Sequence, residues 1–317
     1  MRIYDTFKNF GWNYSMQKIY NKITHQNHNE LEKQKIVSEY INNYLKNVDR
    51  NNFYDVSHND SLLKAHNLIY TMWWQGEAAM PDVVKYCYNK LCSNAGKYKV
   101  ILITQDNYRK YVDVPSYLLD LVDKKKIGLA HFSDIIRMGL LYNTGGLWLD
   151  STILVTDNLS LHEELLDKPF FTVKRSNDNQ LRPYGFLEPY KGFSKRRWTG
   201  FVLGTNRKNY PLFKLLYQYL LQYWKDHDMA IDYTFMDYII QYILYNFDSL
   251  KVDWKNIPYS NPDIDVFGTL INESADKEVI DNILEDTFLY KLSYHQYVID
   301  KEKKNSYWNI LRSRLGD

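Results

Sequence analysis

Apolar residues in the middle of the chain change from a helical to a strand spacing. From His131 to Tyr142 they recur every three or four positions, which predicts an amphipathic helix. The next residues, Asn143 to Gly146, tolerate positive φ and predict the end of that helix. From Leu147 to Leu154 the residues are apolar or β-branched, which predicts one buried strand with Asp150 in its middle. A buried carboxylate is costly unless it is paired or binds a cation, so Asp150 is the first candidate functional residue.

The predicted helix carries a second carboxylate and a guanidinium. Asp134 and Arg137 are three positions apart and therefore share one helix face. Together with Asp150 they are suited to binding a polar ligand. A structural ion pair plus a strand-end aspartate explains the same residues equally well, and the pattern alone does not separate the two interpretations.

Two apolar segments with a helix between them predict a strand–helix–strand unit on the N-terminal side. The strands are predicted over 66–74 and 98–104, and the helix runs from Met80 to Asn94. Such a unit forms a right-handed crossover between parallel strands. Trp73, Trp74 and Gln75 fall at the carboxyl end of the first strand, where ligands bind in open α/β sheets, and one indole is expected to face the core.

Other segments leave more than one interpretation open. An aromatic and lysine-containing N-terminal segment is either an interfacial membrane anchor or a helical addition that packs on the main domain. Lys195, Arg196, Arg197 and Trp198 either close over a diphosphate, meet acidic lipids or form an exposed loop. Asp237, on a strongly aromatic predicted helix, is interpreted as a helix-surface residue.

Composition excludes some classes of function. Charged residues are 25% of the 317-residue chain and the formal net charge is only +2, which argues against nucleic-acid binding. No stretch approaches the roughly 20 apolar residues of a membrane span, and no signal peptide is evident, so a cytoplasmic location is expected. Cys87 and Cys92 lack metal-site spacing and are expected to be reduced, buried thiols.

The central motifs resemble a known family. Asp134 and Arg137 form a D-x-x-R helix motif, and Tyr142 to Asp150 read Y-x-x-G-G-x-W-x-D. This arrangement is similar to the DXD-motif sugar transferase family, glycosyltransferase family 32-like, and its Ser-Thr continuation resembles the capsular polysaccharide synthesis branch. The resemblance implies an α/β fold of GT-A type, a nucleotide-sugar-binding sheet flanked by helices. We expect a helical extension over 1–60 and a transferase domain over 61–317, with a donor half to about 205 and an acceptor half from about 206.

The resemblance also implies roles for individual residues. Trp73 or Trp74 would stack on uracil, Asp134 and Arg137 would hold the ribose and hexose of the donor, and Asp150 would bind the diphosphate and a divalent metal, Mn²⁺ or Mg²⁺. Thr152 stands where the full motif has a second aspartate and is expected, through its hydroxyl, to be the second metal ligand after Asp150; the lower charge predicts weaker metal binding. The further donor-binding candidates are Gln75, Trp148, Ser151 and Lys291.

The implied activity is that of a retaining α-glycosyltransferase. It would move galactose or glucose from a UDP-sugar to an oligosaccharide linked to polyprenyl diphosphate, at the inner face of the membrane, in capsule or exopolysaccharide synthesis. The alternative is a nucleotide- or glycan-binding protein with the same fold and no activity. A phosphotransferase is disfavoured because the chain has no P-loop.

Overall fold

The computed structural model describes residues 5–11, 14–15, 30–51, 67–175, 197–294 and 303–316. Its strands are β1 Leu68–Met72, β2 Lys99–Ile103, β3 Gly146–Leu149, β4 Ile153–Val155, β5 Phe171–Thr172, β6 Val202–Thr205 and β7 Leu289–Lys291. Its helices include α1 Glu30–Asn51, α2 Asp82–Asn94, α3 Ser116–Asp123, α4 Leu129–Thr144, α5 Glu163–Leu166, α6 Pro211–Asp226, α7 Phe235–Asn246, α8 Asp248–Lys255, α9 Phe267–Leu270, α10 Lys277–Glu285 and α11 Tyr307–Leu315.

A mixed sheet of five strands forms the centre of the described protein. Its order is β2-β1-β3-β6-β5, with β1 parallel to both β2 and β3 and β6 antiparallel to its two neighbours. The chain leaves β1 toward β2 and returns on the other side of β1 as β3. The carboxyl ends of β1 and β3 therefore flank a topological switch point, which is where open α/β sheets bind ligands. The α/β fold class expected from the sequence is confirmed.

Two glycines join α4 to β3. Gly145 follows the helix at φ 66°, and Gly146 opens the strand at φ 96°. A side chain at Gly146 would place its Cβ 2.7 Å from the carbonyl oxygen of Leu68 on the neighbouring strand. Glycine is therefore required both for the turn and for the close approach of β3 to β1. The helix end predicted from Asn143 to Gly146 is confirmed.

The single strand predicted from Leu147 to Leu154 is wrong. Strand β3 ends at Leu149, the chain turns at Asp150, where the carbonyl accepts a hydrogen bond from the Ile153 N–H at 2.8 Å, and β4 then pairs with β7 in a separate two-stranded sheet. Because of this turn, the Asp150 carboxylate lies at the carboxyl end of β3 and not within the sheet, and charged side chains can pair with it there.

Helices cover the sheet with an unusually aromatic layer. The core contacts of α6 and α7 include the buried residues Tyr219, Tyr223, Trp224, Phe235 and Tyr238. Phe10 and Tyr14 of the N-terminal segment are each only 6% exposed and belong to the same core. These two side chains pack on the main domain; Trp12, Met16 and Tyr20 lie outside the described residues.

Three further expectations have different outcomes. Cys87 is buried as expected, but Cys92 is exposed, because it lies on the solvent face of α2. No helix among the described residues is long and apolar enough to cross a membrane. The division into a helical extension over 1–60 and a transferase domain over 61–317 stays a prediction.

Candidate functional site

One pocket at the carboxyl ends of β1 and β3 contains all of the predicted site residues. It has a volume of about 900 Å³, within the range of small-molecule sites. The predicted residues that line it are Trp73, Trp74, Gln75, Asp134, Arg137, Trp148, Asp150, Ser151, Thr152 and Lys291. They come from α4, from β3 and the turn after it, from the turn after β1, and from the distant strand β7. The juxtaposition is observed; the role of each residue stays a prediction.

Helix α4 contributes the Asp134–Arg137 pair. Arg137 Nη2 donates to Asp134 Oδ1 at 2.8 Å, and the guanidinium lies 5.1 Å from the centre of the Trp148 ring. Burial raises the pKa of Asp134, while Arg137 opposes that shift. Arg137 Nε is buried with no hydrogen-bond partner among the described residues, an arrangement that costs stability and is typical of functional sites. The helix therefore holds a nearly dry guanidinium against the pocket.

Asp150 lies between two cations and an indole. Its Oδ1 accepts a hydrogen bond from Trp148 Nε1 at 2.8 Å and lies 3.6 Å from Arg137 Nη2, and its Oδ2 accepts from Lys291 Nζ at 3.0 Å. Burial raises the pKa of Asp150, but the charges of Lys291 and Arg137 and the hydrogen bond from Trp148 outweigh it, so that the pKa lies below its usual value. Asp150 is therefore ionised at neutral pH.

The two adjacent tryptophans have different surroundings. The Trp74 ring packs against Tyr108 and Phe132, with centroid distances of 5.2 and 5.3 Å, at the edge of the core. Trp73 donates from Nε1 to the carbonyl of Ala79 and meets Tyr294 edge to face. Trp74 is thus the indole expected to face inward, and Trp73 is the better candidate to stack on a base.

The interpretation of Asp237 as a helix-surface residue is wrong. Asp237 lines the pocket from the first turn of α7, and its Oδ1 accepts a hydrogen bond from Trp198 Nε1 at 2.9 Å. Burial, with the Asp134 carboxylate nearby, raises the pKa of Asp237 to about 7 despite Trp198, Arg197 and Arg137. The available signal was a carboxylate isolated among apolar and aromatic residues, which sequence reasoning took for an exposed one.

The segment before β6 is described only from residue 197. Trp198 is 1% exposed, and Arg197 stacks on its ring at 4.4 Å and donates to Gln241 Oε1 at 2.9 Å. Trp198 therefore supports Asp237 from the core rather than closing over a ligand. Lys195 and Arg196 lie outside the described residues.

The donor set at Asp150 does not suit a divalent cation. Both carboxylate oxygens already accept hydrogen bonds, one of them from an ammonium, and Thr152 adds only an uncharged hydroxyl on a side chain that is 6% exposed. Across the described ranges, no group of three or more His, Cys, Asp or Glu side chains is placed to hold a metal. The Asp150–Thr152 metal site stays a prediction that this geometry does not favour.

Comparison with known proteins places the chain in a family. The model of a family described as "Capsular polysaccharide synthesis protein" matches residues 16–311. The chain belongs to this family. The capsular branch inferred from the central motif is thereby confirmed, whereas a family 32 relationship and a full DXD motif stay predictions.

The other two comparisons add little to this assignment. No curated protein matches the sequence of this chain. One solved structure similar to it is named "PaToxG Glycosyltransferase", with 10% sequence identity and a TM-score of 0.41 over 73% of this chain and 84% of that one.

Proposed function

We propose that the protein is a retaining glycosyltransferase of capsule or exopolysaccharide synthesis that uses a UDP-hexose, galactose or glucose, as donor. One observation carries the proposal: an indole, an Asp–Arg pair and an Asp–Lys pair converge on one pocket at the switch point of the sheet. Membership of the capsular polysaccharide synthesis family supports the biological setting.

The convergent residues match the parts of a nucleotide sugar. Trp73 offers a ring face for uracil, and Asp134 with Arg137 offers an acceptor and donors for sugar hydroxyls. Lys291 and Arg137 offer positive charge for the diphosphate. The pocket volume of about 900 Å³ is large enough for such a donor and part of an acceptor.

In the proposed reaction, sugar transfer develops negative charge on the leaving diphosphate. The bond between the anomeric carbon and the β-phosphate oxygen breaks, and its electron pair stays on UDP. The acceptor hydroxyl oxygen forms the new bond on the same face of the sugar, and its proton passes to the departing phosphate oxygen. This front-face step retains configuration and gives an α-linkage from an α-linked donor. The step requires a positive charge near the diphosphate to stabilise the negative charge that develops there.

The proposed acceptor is an oligosaccharide linked to polyprenyl diphosphate. Family membership supports a glycan acceptor, and a lipid-linked one would bring the protein to the inner face of the membrane as a peripheral enzyme. The acceptor half of the site is proposed to involve Asp237 on α7 and the exposed ring of Tyr233 just before that helix, both of which line the pocket.

A binding protein without activity is the competing function. Thr152 in place of a second aspartate favours it, because the site has less charge for a catalytic metal.

The pure protein should be incubated with a panel of nucleotide sugars and the released nucleotide measured. Slow release of UDP from one UDP-hexose supports the transferase. Tight UDP binding without turnover, even with acceptor oligosaccharides, supports the binding protein.

A further inference from the structure

The ammonium group of Lys291 is held at a fixed position in the pocket wall. Strand β7 pairs with β4 so that Lys291 lies opposite Ile153, and the Lys291 N–H donates to the Ile264 carbonyl at 2.6 Å. The side chain reaches Asp150 Oδ2 at 3.0 Å and passes over the Phe201 ring, 5.0 Å from its centre. Backbone pairing, an ion pair and a ring contact therefore fix this charge, unlike that of a lysine on an open surface.

Most of the donor capacity of this ammonium is unused. A lysine has three N–H donors, and Asp150 accepts from one of them. In the part of the chain that the structure describes, Lys291 Nζ makes no other hydrogen bond, and the side chain is 29% exposed to the pocket. Two donors of a localised cation are thus open to an anionic ligand.

The ion pairs around Asp150 leave little reason for a divalent cation to bind there. Lys291 balances Asp150, and Arg137 balances Asp134. A dication bound to Asp150 would lie beside an ammonium and within reach of a guanidinium that is itself 3.6 Å from Oδ1, and both would repel it. Thr152 contributes no negative charge to offset that repulsion.

We propose that Lys291, with Arg137 beside it, supplies the positive charge for the diphosphate of UDP, so that the protein binds UDP and transfers the sugar without a divalent metal. The inference rests on the proposed function. When the anomeric C–O bond breaks, the electron pair and the new negative charge remain on the β-phosphate oxygen, next to these two cations. Asp150 acts as a positioning residue that orients the ammonium.

Calorimetric titration with UDP tests the inference. The wild-type protein is titrated in EDTA and again in Mn²⁺, and the same pair of titrations is made with Lys291→Met and Lys291→Arg. Lys97→Met is the matched control, because Lys97 pairs with Glu163 on the surface and does not line the pocket. Thermal unfolding of each variant reports whether it is folded.

The expected result is a wild-type Kd for UDP that agrees within twofold between EDTA and Mn²⁺. Lys291→Met should weaken binding at least tenfold in both buffers, Lys291→Arg should recover part of that loss, and Lys97→Met should change nothing. The rate of UDP release from the UDP-hexose should agree within twofold between EDTA and Mn²⁺.

Two results would overturn the inference while leaving the proposed function intact. One is a Kd for UDP at least tenfold higher, or a rate of UDP release at least tenfold lower, in EDTA than in Mn²⁺. The other is a folded Lys291→Met protein that binds UDP as the wild type does. A wild-type protein that binds no UDP in either buffer would instead refute the proposed function itself.

Discussion

Two polar clusters in this protein bury hydrogen-bonding groups in opposite ways. The pocket cluster, Asp134, Arg137, Asp150 and Lys291, joins charges of both signs beside an open volume of about 900 Å³. The aromatic cluster, Phe10, Tyr40, Tyr44, Tyr223 and His227, joins α1 and the N-terminal segment to α6, and its Tyr44 hydroxyl donates to the Asp226 carboxylate at 2.7 Å.

Hydrogen bonds within the protein satisfy the aromatic cluster. His227 Nδ1 lies 2.9 Å from the Tyr223 carbonyl and therefore carries a proton, and Nε2 lies 2.6 Å from the Tyr40 hydroxyl, which is also 3.1 Å from the Asn9 carbonyl. Tyr223 in turn donates to the Met229 carbonyl, and its ring stacks on His227 at 4.3 Å. Burial lowers the pKa of His227, which favours the neutral ring. Every group here has a partner that the fold supplies.

The pocket cluster has hydrogen-bond donors without a partner among the described residues. Arg137 Nε has no partner among the described residues, and the Lys291 ammonium donates only to Asp150. Buried or held donors without a partner cost stability, so a fold that keeps them favours a ligand-binding role for the cluster. We propose that the aromatic cluster serves stability and that the pocket cluster serves ligand binding, and five substitutions test this proposal.

The largest effect is expected at Asp150. Asp150→Ala leaves Lys291 and Arg137 without the carboxylate that orients them, so turnover of the UDP-hexose should fall about 1,000-fold, about 4 kcal/mol in the barrier. Initial rates of UDP release measure it. Asp106→Ala is the matched control, an exposed aspartate after β2 that is not in the pocket. A wild-type rate of UDP release in Asp150→Ala would show that Asp150 has no part in the reaction.

The second effect is a pH-dependent gain of stability at Asp237. The pKa of Asp237 is about 7 in the folded protein and about 4 in the unfolded chain. As pH rises between these values, the carboxyl group ionises more readily in the unfolded chain, and the free energy of unfolding of the wild type falls. Asp237→Asn cannot ionise and still accepts from Trp198. The free energy of unfolding of Asp237→Asn, relative to that of the wild type, should therefore rise by about 3 kcal/mol between pH 5 and pH 8.

Urea unfolding of both proteins at the two pH values measures this gain, and the titration of carboxyl groups that do not interact with Asp237 cancels in the difference. An advantage that is the same at pH 5 and pH 8 would show that the Asp237 carboxyl group has an ordinary pKa.

The third effect separates the clusters directly. His227→Ala removes a stacked ring and its two hydrogen bonds, which should lower the free energy of unfolding by about 2 kcal/mol. Because the aromatic cluster does not line the pocket, the Kd for UDP should stay within twofold of the wild type. Chemical denaturation and UDP titration of the same sample give both values; weaker UDP binding by the folded variant would show that the clusters are coupled.

The smallest effect is expected at the indoles. Trp73→Ala should raise the Kd for UDP about tenfold, about 1.4 kcal/mol, through loss of stacking on uracil. Trp74→Ala should act chiefly on stability, because that ring packs on Tyr108 and Phe132. UDP titration and thermal unfolding of both variants distinguish the roles. The reverse assignment, with UDP binding lost only in Trp74→Ala, would place uracil on the other indole.

Local patterns were enough to predict the elements that position the site. The helix predicted from His131 to Tyr142 is Leu129–Thr144 in the structure, and its glycine end and the strands before it are where apolar spacing and turn residues indicated. These features depend on residues close in sequence, so spacing and φ preferences determine them.

Features that depend on distant contacts were harder to predict. The chain turns at Asp150 because β4 pairs with β7, and Lys291 reaches Asp150 across 141 positions in sequence. No local pattern encodes that pairing. Asp237 was misread for the same reason, since Trp198 and the pocket that enclose it come from another part of the chain.

A crystal structure of the protein with UDP tests the central claim most directly. The account predicts that the diphosphate lies within hydrogen-bond distance of Lys291 Nζ and the Arg137 guanidinium, with uracil against Trp73. A complex in which this pocket holds no nucleotide, while UDP is bound at another place on the protein, would contradict it.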